Sequence, residues 1–130
     1  MQQSKQSERE IFSRKKSLTF LNDFVRSYNY NRRQADHITN TDAEVARALL
    51  KVYERHLAAS QVDPYNVFAC YYPEIQACGV WNLNAKTIRE HLLKLQQSGM
   101  ITLHQDSAIF LDSNTSRPVY VSFTQELLFI

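Results

Sequence analysis

The side chains with the most evident chemistry lie between Asn84 and Ile101, NAKTIREHLLKLQQSGMI. Lys86, Arg89 and Lys94 are long cationic donors, and Asn84, Thr87 and Gln97 add short polar groups. These residue types grip phosphates and read base edges, and a helix carrying them fits a DNA major groove. They equally describe an ordinary solvated helix face. Two neighbours weigh on the DNA side. Glu90 shares the outward side and repels phosphate unless it accepts from a cytosine amino group. Leu93, about 140° from Ile88 on a 3.6-residue period, points away from the core and suits a protein partner.

Other chemistries have weaker residue support. His37, His56, His91 and His104 with Cys70 and Cys78 show no CxxC or HxxxH pairing, so no metal is expected. There is no GxSxG, no glycine-rich phosphate loop in a chain with two glycines, and no paired carboxylate motif. Neither catalysis nor a cofactor is expected. Tyr71-Tyr72 reads as aromatic core, Trp81 as a plug between helices, and His91 as a satisfied boundary histidine.

The element that positions the cationic set is a helix with marked ends. Asn84 is a good N-cap, and Ile88, Leu92 and Leu95 recur at i, i+4 and i+7 as one apolar stripe. Gly99 stands where a helix needs a left-handed residue to stop. Upstream, Thr41-Asp42-Ala43-Glu44 predicts another helix start, capped by Thr41 or Asp42 with Glu44 completing a capping box, and Val45, Leu49 and Val52 carry it to about Ala59. Asp63-Pro64 predicts a turn and a second helix start through the cluster Val67, Phe68, Tyr71, Tyr72. Pro73 to Cys78 reads as a short helix ended by Gly79, and Val80 to Leu83 as a turn. Past Ile101 the period drops to 2, predicting strands at 102–104, 108–111 and 119–123, with a tight turn at Asp106-Ser107 and a polar loop, DSNTSRP, at 112–118.

This order, a polar start followed by TIREHLLKLQQSGMI and alternating strands, resembles the recognition helix and wing of winged helix-turn-helix proteins over about residues 42–124. The resemblance implies an α+β domain at 41–130, with Asn84, Lys86, Thr87, Arg89 and Lys94 reading or gripping double-stranded DNA and Arg117 on the wing. It also implies a role in transcription control. Two alternatives stay open: a winged domain that binds another protein, and a DNA-binding domain that serves replication or a mobile element.

Residues 1–40 form a basic helical arm and loop ahead of that domain. From about Glu8 to Asn29, Ile11, Leu18 and Val25 recur every seven residues, with Leu21, Phe24 and Tyr28 alongside. Residues 1–33 hold eight Lys or Arg against three carboxylates, a net +5; residues 34–130 hold seven against ten, a net −3. Phosphate attraction comes from releasing condensed counterions, so the arm is the better source of non-specific pull. The arm and the apolar end, Leu127-Leu128-Phe129-Ile130, are also the expected homodimer surfaces.

With 130 residues, 44% apolar and 22% charged, the chain has the length and composition of one globular domain. Its start lacks a secretory h-region and it has no long apolar run, so neither export nor membrane insertion is expected. Cys70 and Cys78, placed eight residues apart on one helix, would lie roughly 12 Å apart, too far for a disulfide. A reduced cytoplasmic protein is the simplest expectation.

Overall fold

The structure, a computed structural model, describes residues 14–104 and 118–128. The first thirteen residues, the expected strand at 108–111, the turn at 106–107 and Arg117 lie outside the described residues. Among those described, the elements in chain order are α1 (Arg14–Asn29), a 3-10 turn (Gln34–Asp36), α2 (Asn40–Ala58), β1 (Phe68–Cys70), α3 (Tyr72–Ile75), a π-type turn (Gln76–Val80), α4 (Ala85–Ser98), β2 (Ile101–Leu103), β3 (Val119–Phe123) and α5 (Gln125–Leu128). The fold is α+β, helices around one core with a small antiparallel sheet in the order β1-β3-β2.

α2 is the central element. Val45, Ala46, Ala48, Leu49, Leu50, Val52 and Tyr53 are all buried, and solvent reaches mainly the narrow strip of Glu44, Lys51 and Arg55. Its start differs from the sequence expectation. The N-cap is Thr39, not Thr41 or Asp42: the Thr39 hydroxyl accepts from the Asp42 amide (3.1 Å) and the Asp42 carboxylate accepts from the Thr39 amide (2.8 Å). Both spacings are legal capping boxes. The earlier one wins because Asp42 also meets partners from α4, which no local pattern displays.

The turn at Asp63 starts no helix. Asp63 Oδ1 accepts from the amides of Tyr65 (2.8 Å) and Val67 (2.9 Å), an Asx-type arrangement that closes the loop on itself. Asn66, at φ 63°, completes the reversal. Phe68 and Cys70 then bury one face of a strand, paired antiparallel to β3 as Phe68↔Val121 and Cys70↔Val119. β3 alternates fully, burying Val119, Val121 and Phe123, and pairs on its other edge with β2. Tyr53, Phe68 and Phe123 form an aromatic cluster where α2 meets the sheet. Cys70 therefore sits in a strand rather than on a helix with Cys78. Both are buried free thiols, and burial pushes both pKa values up, away from reactivity.

α1 packs on α2 and on α5. Leu21 is fully buried, Leu18, Phe24, Val25 and Tyr28 flank it, and the Ser17 hydroxyl donates to the Leu127 carbonyl at 2.6 Å. Arg14 pairs with Glu54, and Arg47 reaches Asn22. Asn29 holds Ile38 through both its amide and its carbonyl. Leu21 and Leu127 are thus buried within the chain, and the rest of this part of the stripe is partly buried.

The short helix foreseen at Pro73–Cys78 divides into α3 and the π-type turn. Gly79 has φ 139° and ψ −1°, a backbone state that side-chain-bearing residues rarely adopt. A Cβ there would meet open space, so the cost of Gly79→Ala is conformational alone. We expect a loss of about 1–3 kcal/mol in urea unfolding; an unchanged midpoint would refute the strain argument.

Candidate nucleic-acid interface

α4 is built as its sequence predicts. Asn84 is extended (φ −82°, ψ 169°) and its side-chain oxygen accepts from the Thr87 amide at 2.8 Å, leaving the NH2 group as the end able to donate outward. Ile88, Leu92 and Leu95 are fully buried, and Gly99 stops the helix at φ 88°. Gln96 ties the far end to the sheet by accepting from the Leu103 amide (2.6 Å). The ridge opposite the core is Lys86, Glu90, Leu93 and Gln97, all exposed, with Arg89 half-buried beside it.

Lys94 departs from that set. Its Nζ lies 3.1 Å from Asp42 Oδ2, while His91 Nδ1 lies 2.5 Å from Asp42 Oδ1. Asp42 is 1% exposed, so α4 is clamped to the start of α2 by a buried carboxylate holding two of its side chains. Burial alone would raise the Asp42 pKa. The bonds from His91, the Thr39 amide, Lys94 and the Thr39 hydroxyl outweigh it and hold the carboxyl below its ordinary value. Lys94, 34% exposed, spends much of its charge inward. Near the helix start Lys86 is the exposed cation, with half-buried Arg89 and the polar Asn84 and Thr87 beside it.

Trp81 also departs from expectation. It is 79% exposed rather than a plug, because its neighbours Val80 and Leu83 take the inward positions. The turn it rides on is pinned: the Leu83 amide donates to the Val80 carbonyl (2.9 Å), and the Gln76 side-chain amide donates to the Leu83 carbonyl (2.7 Å). Sequence alone held a weak signal for this, in the two aliphatic residues bracketing one Trp.

At the other end of α4, Tyr28, Arg32, Asp36, Lys94 and Gln97 line a polar groove of about 350 Å³. Arg32 stacks over the Tyr28 ring at 3.7 Å and donates to the Tyr28 carbonyl, which fixes its charge beside the helix end.

Each histidine has a partner within the chain: His37 with the Arg32 carbonyl, His56 with Glu74, His91 with Asp42 and His104 with Ser122. Among the described residues, no three His, Cys, Asp or Glu side chains gather to hold a metal, and no helix is long and apolar enough to cross a membrane. Compared with family models, curated proteins and solved structures, the chain matches none.

Proposed function

We propose that this chain is a winged helix-turn-helix domain that binds double-stranded DNA, with α4 in the major groove. The reading is supported by the order α2–β1–α3–turn–α4–β2–β3, with β3 central in the sheet. The observation that carries it is the charge at the start of α4. Between Glu74 and Glu90 the chain contains no carboxylate, while Lys86 and Arg89 flank the capped first turn. Phosphate attraction and backbone amides act together at such an end. Arg32 and Arg33 add cationic groups on the loop after α1, although Arg33 is paired with Asp36. Transcription control is the role this binding would serve.

Titration of the full chain against random-sequence duplex at increasing salt tests the reading. Affinity should fall linearly on logarithmic axes, with a slope near −0.9 per phosphate neutralised. Binding that is undetectable even at low salt removes the proposal. In that case a second reading takes over, a protein-docking surface centred on Leu93, which is 37% exposed between Glu90 and Gln97.

A further inference from the structure

We propose that Trp81 is a stacking platform for an unstacked nucleobase, so that the preferred ligand is DNA whose helix is opened or broken beside the α4 site. This rests on the DNA-binding reading above and narrows its substrate class. The chain has one tryptophan, and it stands 79% exposed in the turn that delivers α4. An indole left in water forgoes a large burial gain, so its exposure points to a partner that covers it.

Three observations favour a base over a protein side chain as that partner. The turn is rigid: Leu83 donates to Val80, Gln76 donates to Leu83, and Val80 is itself buried, so the ring is presented on a fixed base with little ordering cost on binding. The local sequence carries no negative charge, since no carboxylate occurs from residue 75 to residue 89, a stretch that includes Lys86 and Arg89. The neighbouring exposed side chains, Asn82 and Asn84, are amides suited to base edges and phosphate oxygens rather than to an apolar protein surface.

Geometry then selects the form of DNA. In a continuous duplex every base face is covered by its neighbours, and an indole reaches only sugars and groove edges. A base face becomes available at a fork, a gap, an unpaired nucleotide or a kinked step. A Trp face beside the groove-reading helix fits a junction between paired and unpaired strands.

The sole tryptophan makes the test direct. The full chain is titrated with a fully paired duplex and with the same sequence carrying a single-stranded fork, following affinity and the emission of Trp81. The expected result is roughly tenfold tighter binding to the fork, with quenching that the paired duplex does not match. Trp81→Ala, an exposed position whose fold is checked by circular dichroism, should abolish the preference while leaving duplex affinity nearly intact. Trp81→Phe should retain part of it. Equal affinity for the two DNAs, unquenched emission on the fork, or a preference that survives Trp81→Ala each overturns the inference while duplex binding stands. Failure of both DNAs to bind overturns the underlying reading together with this one.

Discussion

Asp42→Ala should lower the unfolding free energy by about 2–4 kcal/mol, below the 3–5 kcal/mol typical of breaking a fully buried pair. Three losses combine. Half of the α2 capping box disappears, because the Thr39 amide loses the Asp42 carboxylate while the amide of residue 42 still donates to the Thr39 hydroxyl. His91 and Lys94 lose the group that anchors them, 2.5 Å and 3.1 Å away. The discount reflects Lys94, which is one third exposed and can turn to water. Asp42→Asn keeps the shape and an acceptor for the Thr39 amide, so it should lose less. The pH dependence has a definite sign. A carboxyl held below its ordinary 3.8 in the folded chain favours folding above that value, and the contribution is lost as pH falls through the lowered one. The stability gap between wild type and Asp42→Asn should therefore be wide at pH 5 and close toward pH 2. A gap of the same size at both would show that the carboxylate charge does not matter.

The second large effect is on DNA. Lys86→Ala with Arg89→Ala should reduce the salt slope by about 2 and weaken duplex binding by roughly 10- to 1000-fold at low salt. Lys94→Ala is the discriminating control. Its ammonium already answers to Asp42, so the slope should move by clearly less than one unit per charge removed. If Lys94→Ala flattens the slope as much as Lys86→Ala does, the inward clamp is not what holds that side chain in solution.

What the sequence disclosed divides along the range of the forces involved. α4 was readable because its cap, stripe and stop are all local: Asn84 to Thr87, Ile88 to Leu95, and Gly99. β3 was readable from its two-residue alternation. The start of α2 lies two or three residues before the expected Thr41 or Asp42 cap, because Asp42 takes its role through His91 and Lys94, 49 and 52 positions away. Val67 to Cys70 suits a helix as well as a strand on sequence, because four residues cannot display a period, and the strand exists only through its pairing with β3. Within the candidate site, Asn84, Lys86, Thr87 and Arg89 lie within the cap and the first one and a half turns of α4. The wheel position of Lys94 points outward and says nothing of a buried acid on another element. Residue type alone points Trp81 inward, whereas it is exposed.

The placement of β3 has a consequence for biogenesis. It is the middle strand, yet it follows both of its neighbours in the chain. While the polypeptide emerges from a ribosome, β1 and β2 must wait with unsatisfied amides and carbonyls until residues 119–123 are delivered to lie between them. A nascent chain that stalls before that point presents two open edges ready to pair with other stalled copies, so premature termination in this segment should yield aggregates rather than a smaller working protein.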